Sequence, residues 1–145
     1  MLIRGRCHCG NISFVLDWKP DPTEIPARAC GCSFCVKHGG VWTSCPGGTL
    51  AVRFADPQRV STYEFGTHTA QFHVCATCGV PPVVTSRIDG RLYAVVNVNA
   101  FDDADPALLK KTPASFDGED ESGRLARRAR NWIGNVTIAS LHSTP

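Results

Sequence analysis

A chain of 145 residues, 43% hydrophobic and 19% charged, is long enough for one hydrophobic core and too apolar for wholesale disorder. Its formal net charge of +2 is too small to mark a nucleic-acid or anionic-membrane binder by electrostatics alone. Eight cysteines exceed what packing requires, so they need a chemical explanation.

From the start of the chain, residues 1–4 are too short an apolar stretch for a signal peptide, and charge and Cys7 follow at once. Apolar runs such as residues 92–96 have strand length and cannot span a bilayer. The expectation is one cytoplasmic domain over residues 1–145 with no membrane and no nucleic-acid partner. Thiols stay reduced in the cytoplasm, so clustered cysteines there read as metal ligands or redox groups rather than disulfides.

Residues 11–18 alternate, with Ile12, Phe14 and Leu16 on one face, as in a half-buried strand. Residues 41–44, 49–54, 60–65, 70–74, 83–88 and 92–97 are further β-branched or aromatic runs, punctuated by Gly, Pro and Asp. Asp89-Gly90 between two such runs signals a hairpin turn. Residues 106–110 predict one short helix with Pro106 in its first turn. Residues 19–27, with three prolines, read as a loop, and so do residues 117–123, with four acidic residues and two glycines. The latter runs into Arg124, Arg127, Arg128 and Arg130, an acidic-then-basic order expected to form a solvated, self-paired surface segment. The fold class is therefore mostly β with one short helix.

Seven cysteines fall in three clusters: Cys7 and Cys9, then Cys30, Cys32 and Cys35, then Cys75 and Cys78 followed by Gly79. One to four residues between thiolates let two sulphurs approach one zinc ion at about 2.3 Å. The economical partition puts Cys7, Cys9, Cys75 and Cys78 around one zinc, closed and structural. Cys30, Cys32 and Cys35 are left for a second, open one, the pattern of a catalytic site. Cys45 stands alone and reads as a core residue, although it or His38 could close the second site. A thioredoxin-type redox pair would need a βαβ context that the chain lacks. His8, His68, His73 and His142 read as surface or satisfied histidines. Lys37, Arg28 and His38 flank the middle cluster and could receive the carboxylates of an anionic thiol.

The stretches Gly5-Arg6-Cys7-His8-Cys9-Gly10-Asn11-Ile12, Cys30-Gly31-Cys32-Ser33-Phe34-Cys35 and Cys75-Ala76-Thr77-Cys78-Gly79 carry a resemblance over roughly residues 3–100. They resemble the glutathione-dependent formaldehyde-activating enzyme family, also called the centromere-protein-V-like family. The resemblance implies an Mss4-like fold of antiparallel sheets built around zinc sites. It also implies that the zinc at Cys7, Cys9, Cys75 and Cys78 is structural, and that the one at Cys30, Cys32 and Cys35 meets a thiol, with glutathione the archetype. Gly31, Val80-Pro81-Pro82 and the tail over residues 117–138 depart from the family pattern.

The expected function is a carbon–sulfur lyase that joins an aldehyde to a thiol, with Cys30, Cys32 and Cys35 as the catalytic residues. Three thiolates leave a bound zinc with a formal charge of −1, which makes it a poor Lewis acid and favours a role as thiol carrier. The alternative is a non-catalytic, zinc-stabilised binding module of the same fold, favoured if the middle cluster is closed.

Overall fold

The computed structural model describes residues 1–140, so His142 lies outside the described residues. In chain order the elements are β1 (Leu2–Arg6), β2 (Ile12–Asp17), β3 (Ile25–Cys30), α1 (Ser33–His38), β4 (Val41–Thr43), β5 (Thr49–Phe54), β6 (Val60–Tyr63), β7 (Gln71–Cys75), β8 (Val83–Ile88), β9 (Arg91–Asn97), β10 (Leu109–Ala114), α2 (Glu121–Asn131) and β11 (Val136–Ser140). The fold is mostly β, as expected. A four-stranded sheet has the order β1-β2-β5-β11, and a seven-stranded sheet has the order β10-β3-β4-β9-β8-β7-β6. Most neighbours pair antiparallel, but β10 with β3 and β11 with β5 are parallel. No helix among the described residues is long and apolar enough to cross a membrane.

Alternation along the strands decides what each sheet face covers. The inward set Ile12, Phe14 and Leu16 on β2 joins Leu50 and Val52 on β5, as their period predicts. These pack on Val83, Ala94 and Val96 of the larger sheet to make the main core. Each large aliphatic side chain so buried contributes about 1.5–3 kcal/mol. The next residues along, Val84 and Val95, point through the other face of the larger sheet. There they join Trp42, Phe72, Cys35 and Trp132 in a second apolar cluster. At the β8–β9 turn Asp89 and Gly90 both have positive φ, 51° and 79°, the two-residue geometry that the sequence signalled.

Two expectations need correction. Residues 106–110 do not form an α-helix; Pro106–Leu108 is a single 3-10 turn, and the chain extends from Leu109 as β10. A run of five residues is too short to repay the cost of helix nucleation, while β3 offers a parallel partner all along Leu109–Ala114. The main helix is instead α2, within the stretch read as a surface segment. Asp120 caps it, accepting a hydrogen bond from the Gly123 N–H at 2.7 Å.

Candidate functional site

The strand layout brings the first and last cysteine clusters together. Cys7 and Cys9 lie in the β1–β2 turn, and Cys75 and Cys78 at the end of β7 and in the turn that follows. One turn belongs to each sheet, so this group joins the sheets at one edge. In both turns a glycine follows the second cysteine with positive φ: Gly10 at 88° and Gly79 at 82°. The chain therefore folds back at once, with the Gly10 N–H on the Cys7 carbonyl at 3.1 Å and the Gly79 N–H on the Cys75 carbonyl at 2.8 Å.

Four sulphurs at about 2.3 Å from a tetrahedral ion stand about 3.8 Å apart. The Cys7–Cys9 sulphurs are 3.8 Å apart and the Cys9–Cys75 sulphurs 3.5 Å, and all four ligand atoms lie within 4.8 Å of one another. Backbone N–H groups of Ile12 and Cys78 point at the sulphurs of Cys7 and Cys75 at 3.3 and 3.4 Å, which favours thiolates. Burial pushes the free Cys7 thiol up to about 12. Burial also opposes ionisation of Cys78, but backbone hydrogen bonds from Cys9 and Val80 and the neighbouring thiols outweigh it and bring Cys78 down to about 6. The donor set fits a zinc ion.

The middle cluster forms separately where β3 ends and α1 begins. Cys30 is the last residue of β3, Cys32 caps α1, and Cys35 sits in its first turn. The Cys32 sulphur accepts the Cys35 N–H at 3.3 Å, so the cap fixes one sulphur and orients the next. The three ligand atoms lie within 4.8 Å of one another. Donation by the Cys35 thiol is the main cause that lowers Cys30 to about 5, and the same bond, with burial, drives Cys35 upward. One sulphur of the free cluster is thus ready to ionise, and the set also fits a zinc ion.

Neither candidate for a fourth ligand joins this cluster among the described residues. Cys45 is buried in the main core, and its thiol donates to the Lys19 carbonyl at 3.2 Å. His38 packs against Phe34, with ring centroids 4.4 Å apart, and has Trp42 and Phe72 nearby. Both its ring nitrogens are shut off from solvent without a hydrogen-bond partner, and burial holds its pKa below the ordinary value. Lys37 and His8 are exposed. His73 is buried, with Nε2 against the Thr85 hydroxyl at 2.7 Å.

The three-cysteine cluster forms part of the wall of a cavity of about 520 Å³. Trp42, Phe72, Val84 and Val95 make its floor, and Trp132 closes one side. The segment after β10 and the helix α2 cover it, contributing Phe116, Arg124, Arg127 and Arg128. Arg28 of β3 also faces the cavity. The Arg127 side chain chelates Glu119, with Nε–Oε2 at 2.9 Å and Nη2–Oε1 at 3.1 Å, and lies 3.8 Å over the Phe116 ring. Arg124 approaches the same Glu119 at 3.5 Å. The expected self-pairing of acidic and basic residues is therefore present, but it roofs a cavity instead of forming a bare solvated face. Arg128 is only 6% exposed, and its pKa is brought down to about 10 by burial and by the neighbouring arginines, which leaves it a cation at neutral pH. A signal for this roof was available in the sequence: positions 124, 127, 128 and 131 repeat at helical spacing.

A family profile described as glutathione-dependent formaldehyde-activating enzyme matches residues 2–116. A solved structure of a protein from Rhodobacter sphaeroides is 29% identical, with a TM-score of 0.58, over 76% of this chain and 97% of that one. The profile spans all seven clustered cysteines and ends before α2 begins. With most of its length and both sulphur clusters inside the match, the chain belongs to the glutathione-dependent formaldehyde-activating enzyme family.

Proposed function

We propose that the chain is a zinc enzyme of the carbon–sulfur lyase kind, joining an aldehyde to a thiol such as glutathione or splitting the adduct. The reading rests on one observation: the three-sulphur cluster opens onto the cavity, whereas the four-sulphur cluster joins two sheets and does not line it. Zinc at Cys30, Cys32 and Cys35 would leave one coordination position for a thiol and favour its thiolate form near neutral pH. In the reaction the thiol sulphur attacks the carbonyl carbon and a C–S bond forms. The carbonyl π electrons move to oxygen, which takes up the proton that the thiol has lost, so thiol and aldehyde together equal the S-hydroxyalkyl adduct.

The chain's own part is to place and shelter these groups. The Cys35 N–H holds the Cys32 sulphur in position, and Trp42 and Phe72 present apolar walls that exclude competing water. A non-catalytic binding module would be served by a closed middle cluster, and neither Cys45 nor His38 reaches it. Both clusters need reduced thiols, which suits the cytoplasm.

Exchange NMR tests the reaction. Zinc-loaded protein should accelerate the interconversion of glutathione plus formaldehyde with S-hydroxymethylglutathione in proportion to its concentration, and Cys32→Ser should abolish the acceleration. Absence of acceleration with formaldehyde, acetaldehyde and benzaldehyde alike would remove the enzyme reading.

A further inference from the structure

Two arginines facing the cavity make no direct ion pair among the described residues. Arg28 is half-buried, and its guanidinium donates to the Ser44 hydroxyl at 3.4 Å. Arg128 is 6% exposed and donates through Nη1 to the hydroxyls of Thr69 and Ser86 at 2.8 and 3.2 Å, while its Nε has no partner. No carboxylate lies within 4 Å of either guanidinium among the described residues; Glu119 is taken by Arg127 and Arg124. Arg128 also lies 5.0 Å over the Trp132 ring and feels the more distant Glu119 charge, but neither supplies a direct ion pair, and a buried cation without one is stabilised when an anion joins it. Four arginines face this cavity against Asp117 and the nearby Glu119. Zinc among three thiolates would add one further negative charge, so one positive charge remains for a ligand to balance. The rest of the wall is apolar, and 520 Å³ lies within the range of about 300–1,000 Å³ that encloses drug-sized ligands, far more than formaldehyde needs.

We propose that Arg28 and Arg128 form an anion-recognising subsite, and that the natural thiol carries a carboxylate beside an apolar, preferably aromatic, body. The carboxylate meets the two guanidinium groups, which suit it by their forked donors. The body lies on Trp42, Phe72 and Trp132, and the sulphur reaches the three-cysteine cluster. The placing of the sulphur rests on the proposed function and the charge count on zinc at the three cysteines; the pairing of Arg28 with Arg128 follows from the cavity. Arg28 lies within the family-matched residues and Arg128 on α2, beyond them.

The probes are 2-sulfanyl-3-phenylpropanoate, its primary amide, and 3-phenylpropanoate, which lacks the thiol. Each is titrated into zinc-loaded protein by calorimetry, with quenching of tryptophan fluorescence as a second readout, since Trp42 and Trp132 line the cavity. The acid should bind at least tenfold tighter than the amide. Arg28→Gln and Arg128→Gln should each erase most of that preference, whereas Arg130→Gln, an exposed position outside the cavity, should retain it. Equal binding of acid and amide to the wild-type protein overturns the subsite, and this comparison needs no variant to fold. Competition by inorganic phosphate as effective as by 3-phenylpropanoate overturns the choice of a carboxylate. In Cys32→Ser the acid-over-amide preference should persist while the advantage of the thiol over 3-phenylpropanoate disappears. If the wild-type protein shows the preference but no thiol advantage, the thiol reading fails and the subsite stands.

Discussion

His73 lies among buried residues with one ring nitrogen against Thr85 and the other, Nδ1, unbonded, and burial lowers its pKa below the ordinary 6.5. The folded state therefore favours the neutral ring. Between the folded pKa and about 6.5 the unfolded chain binds more protons, so stability declines as pH falls below about 6.5 and levels off below the folded value. Urea midpoints of the zinc-loaded protein at pH 7.5 and 5.5 should show that decline, and His73→Gln should shrink it; an unchanged decline would remove His73 as its source. Acid also releases metal from thiolates, which is why the difference between variant and wild type is the quantity to read. At this scale the cysteines were legible because their spacing is a direct consequence of coordination geometry. Arg128 was not, because a buried arginine looks like a surface one until its neighbours are known.

Elements were legible where side chains alternate in hydrophobicity, and hidden where something else fills the space. In β1 the inward positions are Ile3 and Gly5, and a Cβ on Gly5 would stand 2.3 Å from the Phe14 ring, so Phe14 occupies the place an apolar side chain would mark. In β3 the prolines suggested a loop. Pro26 pairs only toward β10, because β4 joins β3 no earlier than Arg28, and a strand with one free side tolerates a missing N–H. The arginine face of α2 has helical spacing but polar chemistry, and an acidic-then-basic run has the same composition on a solvated surface as over a cavity. The cap of this helix offers a local test. Asp120→Ala should lower stability by about 1 kcal/mol through loss of the bond to the Gly123 N–H, measured by urea denaturation. Zinc content should stay at the wild-type level, since α2 carries no ligand; loss of zinc would contradict the division between roof and metal scaffold.

Across the whole molecule the two cysteine groups carry different loads. Cys7, Cys9, Cys75 and Cys78 come from one turn of each sheet, so a zinc ion among them would tie the sheets together, and structural zinc contributes roughly 10 kcal/mol or more against a typical net stability of about 5–15 kcal/mol. Cys75→Ser should therefore fail to give soluble, cooperatively folding protein. Cys32→Ser should fold and lose about one zinc per chain, because its cluster joins only the end of β3 to α1. Circular dichroism melting with metal analysis of both variants decides the point: a Cys75→Ser protein with unaltered melting and two zincs would sink the structural assignment. The pairing of sulphurs across distant segments could be read from the sequence because four ligands are needed and only two pairs and a triplet exist. The cavity could not, since it arises where Ile133 bridges to Ala94 and brings the tail over the sheet, a contact between residues far apart in the chain. The sulphurs come from the family-matched part of the chain and three of the four cavity arginines from beyond it, so ligand preference and metal binding can be altered independently. A chimaera carrying another member's tail would inherit the same metal content and a new preferred ligand.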